Sequence, residues 1–217
     1  MKKIIVTALL CIASCALYAE NTRKITATHY YEDNPKKEMT FFDDSGAELA
    51  KEFYHIDGRV MGVKGNIPDG DIFEYYPTDK LKSKASYKSN LLFEETQYYE
   101  TGIKQSHTEN EWAGRTLVKS EYVIYYPNGL KRQEIKMDAK GNGSSSLYYD
   151  TGELFEEAAL KDAYRDGPVT RYYKNGVKML SGFMKEDMLD GLVKEYDSKG
   201  NLTSKVLYKE NEIIKDE

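Results

Sequence analysis

Cysteine is nearly missing from this chain. Its two cysteines, Cys11 and Cys15, both fall within the first 20 of 217 residues. Beyond that point a disulfide framework, a cysteine-ligated metal and a cysteine nucleophile are excluded. Histidine is also scarce: His29, His55 and His107 stand far apart, which leaves no His-rich metal motif. There is no excess of positive charge. Thirty-one Lys and Arg face 36 Asp and Glu, a formal net charge of −5, whereas a general nucleic-acid binder needs a basic stripe. After residue 19 no apolar run reaches the ~20 residues of a membrane-spanning helix. Tyrosine, by contrast, occurs 19 times, roughly three times its usual share.

The first residues, MKKIIVTALLCIASCALYA, read as an export leader. Lys2 and Lys3 precede an apolar stretch of about ten residues, Ile4 to Ala13, too short to span a bilayer. Two processing sites compete. Cleavage after Ala19 leaves Glu20 as the new N-terminus, with residues 1–19 as a signal peptide. Alternatively, Ile12-Ala13-Ser14-Cys15 is similar to a bacterial lipobox, which makes Cys15 a lipidation candidate. Either way the expectation is an exported protein of the periplasm, outer envelope or extracellular space. Removing Lys2 and Lys3 takes the formal charge from −5 to −7.

Residues 20–217 read as a single repeat domain. Aromatic doublets recur at Tyr30-Tyr31, Phe53-Tyr54, Tyr75-Tyr76, Tyr98-Tyr99, Tyr125-Tyr126, Tyr148-Tyr149 and Tyr172-Tyr173, and Tyr196-Asp197 closes the series. The period is about 23 residues, with one longer interval between Tyr98 and Tyr125. Glycine follows at Gly102, Gly129, Gly152, Gly176 and Gly200, as in YYETGIK, YYPNGLK, YYDTGEL and YYKNGVK. Aromatic and β-branched residues suit a pleated strand, and Asn-Gly or Thr-Gly supplies the positive φ of a tight turn. Each unit is therefore predicted to be a β-hairpin. Second turns are expected at Lys140-Gly141-Asn142-Gly143, Arg165-Asp166-Gly167 and Leu189-Asp190-Gly191. The extra residues of the long interval are expected as a loop within Gly114 to Ser120. Tyr75-Tyr76-Pro77-Thr78-Asp79-Lys80 lacks the turn glycine. Phe41-Phe42-Asp43-Asp44-Ser45-Gly46 looks like a return strand and turn, and Lys205 to Ile214 looks like an end cap.

Because one ~23-residue hairpin cannot bury a core alone, the fold class expected is all-β: an elongated antiparallel array of about eight hairpins. The Y-Y-x-N-G-x-x-K units resemble the MORN-repeat variant found in bacterial proteins, including those labelled YwqK-family antitoxins. The resemblance implies a non-enzymatic β-repeat scaffold for protein or membrane contact. The antitoxin label implies neutralisation of a partner toxin. MORN repeats also accompany phosphatidylinositol-phosphate kinase domains, but no kinase domain fits in this chain.

No catalytic motif emerges. GVKGNIPDG has no Gly-Lys-Ser/Thr to end a phosphate loop and reads as a connection. Asp138 to Tyr149 has Lys140 where a calcium loop needs an oxygen, and Tyr149 where it needs Glu. Adjacent carboxylates (Asp43-Asp44, Glu94-Glu95, Glu156-Glu157) point to opposite faces of a strand. The expectation is no enzyme, no cofactor and no metal. Strand alternation places the first aromatic of each doublet in a packed ladder. It places the second (Tyr54, Tyr76, Tyr99, Tyr126, Tyr149 and Tyr173) on a more open face, as candidate binding residues. The leading expectation is an exported scaffold with a protein partner. The alternatives are an antitoxin acting on a toxin and an envelope-anchored surface or glycan-binding protein, with membrane reached only through a lipidated Cys15.

Overall fold

In the computed structural model the described residues are 25–30, 36–43, 45–54 and 60–214. The leader with Cys15, Tyr31, His55, Gly58 and residues 215–217 lie outside them. Every regular element among the described residues is a β-strand, and every pairing between strands is antiparallel. The chain divides into two compact units, residues 1–92 and 93–217.

In the first unit, β1 (Ile25–Tyr30), β2 (Lys36–Phe42), β3 (Glu48–Tyr54) and β4 (Val60–Gly65) pair in chain order. β5 (Gly70–Tyr75) and β6 (Leu81–Lys88) form a further hairpin. Alternation decides what is buried: Ala50, Glu52 and Tyr54 of β3 point inward, as do Ser83, Ala85 and Tyr87 of β6. Ala50, Tyr54, Ala85 and Tyr87 gather with Met39, Phe41, Ile67 and Ile72 into one apolar cluster, in which Phe41 meets the Tyr87 ring edge-on at 5.5 Å. Ile67, in the GVKGNIPDG connection, is fully buried, and its N–H donates to Asn90 Oδ1 at 2.6 Å. That segment is a plugged connection.

The second unit begins within β7 (Leu91–Tyr98). It continues through β8 (Lys104–Ala113), β9 (Thr116–Tyr125), β10 (Lys131–Asp138), β11 (Gly143–Tyr148), β12 (Leu154–Lys161) and β13 (Tyr164–Tyr172). β14 (Lys178–Lys185), β15 (Met188–Leu189), β16 (Gly191–Tyr196), β17 (Leu202–Lys209) and β18 (Glu212–Ile213) complete it. Each strand pairs with the next in sequence, except that β15 sits beside β14 and β16 continues the sheet. Ala158, Val169, Leu180, Met184 and Val193 form the buried row of one face. Gly143 holds its register by close approach, because a Cβ there would lie 1.9 Å from the Lys136 carbonyl oxygen.

The hairpins use two turns. In the first, residue i donates its N–H to the carbonyl of i+4 and accepts from the N–H of i+3, as at Tyr99, Tyr126, Tyr149 and Tyr173. Residue i+3 has positive φ, and the strands resume with a register shift, the signature of a type I turn with a G1 bulge. In Tyr76-Pro77-Thr78-Asp79-Lys80 the glycine's place is taken by Asp79 at φ +60°. The second turn has two residues, both at positive φ: Ser89-Asn90, Asp162-Ala163, Glu186-Asp187 and Glu210-Asn211. This is the type I′ geometry, whose twist matches the flanking strands.

Three expectations are corrected here. Arg165-Asp166-Gly167 lies inside β13, and Leu189-Asp190-Gly191 bridges β15 and β16, so neither is a reversal. The reversals fall about four residues earlier, in dipeptides without glycine, where tertiary pairing overrides local preference. The extra residues after Tyr98 do not form a loop. β8 and β9 both run to ten residues and pair as far as Trp112 with Leu117 and Ala113 with Thr116. Finally, Phe53-Tyr54 is out of phase with the other doublets. It ends a return strand, and the repeat's turn position is taken by Phe42-Asp43.

Candidate functional site

In the second unit the strands that lead from an aromatic doublet position into a glycine turn end on its first tyrosine, Tyr98, Tyr125, Tyr148, Tyr172 or Tyr196, whereas β10 enters its glycine turn on Asp138. The second tyrosine is already residue i of the turn, so strand alternation does not fix its side chain. Its ring lies along the array, and its hydroxyl reaches the next unit. Tyr99 donates to the Tyr125 carbonyl at 3.1 Å and Tyr126 to that of Tyr148 at 2.9 Å. Tyr149 donates to the Tyr172 carbonyl and Tyr173 to that of Tyr196, both at 2.8 Å. Four successive units are stapled to their neighbours by one repeated bond.

The turn asparagines repeat the device. Asn128 Nδ2 donates to the Asp150 carbonyl at 2.7 Å, and Asn175 Nδ2 to that of Ser198 at 3.0 Å. The other amide atom, Oδ1, accepts from Leu130 N–H or Val177 N–H. At the opposite end of the strands, backbone N–H groups of the type I′ turns complete the tie. Ala163 donates to Gly141, Asp187 to Arg165 and Asn211 to Leu189.

Where residue i of a glycine turn is aspartate, at Asp43 and Asp197 in the doublet position and at Asp138 at the opposite end of the strands, the turn folds onto itself. Asp138 Oδ1 accepts from the N–H groups of Lys140 and Asn142, and Asp197 Oδ1 from those of Lys199 and Asn201. Asp43 does the same with Ser45 and Ala47. Hydrogen bonds hold all three carboxyls below the usual aspartate range: the Ser45 side chain first for Asp43, the Asn142 N–H for Asp138, and the Asn201 side chain for Asp197.

The open-face placement of the second tyrosines is thereby corrected. Tyr54 is 5% exposed, with its hydroxyl 2.5 Å from the buried Glu52 carboxylate. Tyr75, a first member, is 45% exposed. Tyr76, Tyr99, Tyr126, Tyr149 and Tyr173 are half-buried along the array, where the Tyr149 ring meets Phe155 edge-on at 5.1 Å.

Two buried carboxylates escaped the sequence reading. Glu52 accepts from the hydroxyls of Tyr54 and, at 2.9 Å, Tyr87. Glu156 is 2% exposed and lies 2.7 Å from Arg171 Nε and 3.2 Å from Arg165 Nη1. Arg165 also bonds Asp187 at 2.8 Å, which ties the β14–β15 turn to the same charge network. Sequence showed only a strand glutamate; its burial follows from a register that no local signal sets. Both carboxylates are fully engaged within the fold. His107 Nδ1 lies 2.9 Å from Thr96 Oγ1, and no cluster of three or more metal-ligating side chains forms among the described residues. Nor is any helix there long and apolar enough to cross a membrane.

The model of the MORN repeat variant family matches residues 68–89 and 189–210. These two segments contain the β5–β6 hairpin and the β16–β17 hairpin. These two segments match MORN-variant repeats, a kind of module commonly used for binding and generally without catalysis. No curated protein matches it. A crystal structure of a protein with unknown function from Bacteroides fragilis NCTC 9343 is similar over 88% of this chain and 97% of that one. The identity is 9% and the TM-score 0.12, too low to carry an argument.

Proposed function

We propose that this protein is an exported, non-catalytic repeat scaffold that binds another protein. One observation carries the reading. The repeated polar groups, the tyrosine hydroxyls and asparagine amides, bond the backbone of the next unit. The repeating chemistry thus builds the array, and the residues that vary from unit to unit on the outward rows are left to define a partner. Export rests on the leader pattern of residues 1–19.

The test is in-cell crosslinking of the full-length chain carrying a C-terminal tag, with mass spectrometry of captured proteins and of the bait's own N-terminus. The expected result is one dominant protein partner and a bait beginning at Glu20 or at a lipidated Cys15. A toxin as that partner would identify the scaffold as a neutralising one. An intact leader with no captured protein would overturn the reading, and products released from a glycan panel would overturn its non-catalytic part.

A further inference from the structure

The face of the second unit opposite its buried row carries an apolar stripe. Phe183 is 56% exposed, Leu192 49%, Leu207 41% and Ile214 42%. Their strand neighbours Met184 and Val193 are buried, so these side chains share the outward face. The register lines them up across the sheet. Pro168 faces Phe183, and Leu192 faces Leu207. The β14–β16 pairing, Leu180 opposite Glu195 and Ser181 opposite Lys194, continues to place Phe183 beside Leu192. Ile214 donates its N–H to the Leu207 carbonyl, which extends the stripe to the residue after the sheet's last strand.

Lysines rim this stripe on both sides. Two residues along the strands in one direction are Lys194 and Lys205, which are direct cross-strand partners. Two residues in the other direction are Lys185 and Lys209. None of the four lies within ion-pair distance of a carboxylate among the described residues, in contrast to Lys51, Lys82, Lys84, Lys119 and Lys131 elsewhere. Like charges directly opposite each other destabilise a sheet, so the Lys194–Lys205 pair does not serve the fold. Four lysines around exposed apolar side chains, on a chain of net charge −5, call for an acidic counterpart.

The spacing selects the shape of that counterpart. Adjacent strands lie about 4.8 Å apart, so the stripe presents a side chain at about that interval along a line crossing the strands. A helix presents one turn every ~5.4 Å, and its i, i+3/i+4, i+7 positions follow such a line. An extended segment presents same-face residues every ~6.7 Å and falls out of step. A second copy offers no helix among the described residues.

We propose that Phe183, Leu192 and Leu207, rimmed by Lys185, Lys194, Lys205 and Lys209, dock an acidic amphipathic helix of a partner protein. This rests on the scaffold reading above and assigns its surface. The test places a photo-crosslinking amino acid in the full-length chain at Leu192 or, as control, at the exposed Val118. Crosslinked peptides are mapped, and Lys194→Glu is compared with the parent. The expected result is crosslinking from position 192 at least tenfold above position 118. The mapped segment should carry net negative charge and apolar residues three or four apart. Lys194→Glu sets opposite charges across β16 and β17, so its melting temperature should hold or rise while crosslinking falls at least tenfold. Capture from 118 but not 192 overturns this surface and leaves the scaffold reading standing. Capture of lipid, of a basic or alternating segment, or undiminished capture by Lys194→Glu also overturns the surface. No protein captured from either position removes both readings.

Discussion

Tyr126 and Tyr149 show how one residue's chemistry reaches beyond its own hairpin. Each hydroxyl satisfies a carbonyl 22 or 23 residues away, at the end of the next unit's first strand. A neutral hydrogen bond is worth about 1 kcal/mol net, so Tyr126→Phe and Tyr149→Phe should each destabilise by about that amount, measured by urea unfolding. Asp79 offers the opposite case. It holds φ +60°, where glycine sits in the related turns, and Asp79→Gly should raise stability by about 0.5–1 kcal/mol through relief of left-handed strain. Gly143→Ala should destabilise by several kcal/mol or prevent folding, since its Cβ would meet backbone at 1.9 Å. The tyrosine doublets and turn glycines were legible from sequence because they recur. Asp79 was visible only as a missing glycine, and its backbone conformation was not, because aspartate states no φ preference strong enough to read.

At the scale of the hairpin, the two turn types divide the work. The glycine turn was readable from Asn-Gly and Thr-Gly. The type I′ turn was not, because Asp162-Ala163 and Glu186-Asp187 carry no turn residue of the expected kind. Their positive φ is imposed by strands already paired on both sides. Replacing Asp162-Ala163 with Asn-Gly should therefore stabilise the β12–β13 hairpin by up to about 1 kcal/mol, measured as a rise in melting temperature. The aspartate turns add a pH dependence. Asp43, Asp138 and Asp197 are held below the unfolded value in the folded chain. Their contribution is present above about pH 4, the ordinary carboxylate range, and is lost as pH falls through the depressed values. Melting temperature should drop between pH 5 and pH 2, and Asp138→Asn with Asp197→Asn should flatten that drop.

For the molecule as a whole, the repeat pattern revealed an all-β array but not which face would be apolar. Face assignment by alternation fails at the tyrosines, because a register shift precedes each turn and the second ring leaves the strand. It succeeds within β14, β16 and β17, where Met184, Val193 and Tyr208 turn inward and Phe183, Leu192 and Leu207 turn out. An array stapled by backbone-directed tyrosines leaves recognition to those outward rows. The sharpest measurement is the partner-capture yield of a Tyr126→Phe, Tyr149→Phe, Tyr173→Phe triple variant, read below its melting temperature beside the parent chain. The hydroxyls being structural, the variant should melt lower yet capture as much partner as the parent. Loss of capture by a variant that is still folded would contradict this and place recognition on the tyrosines themselves.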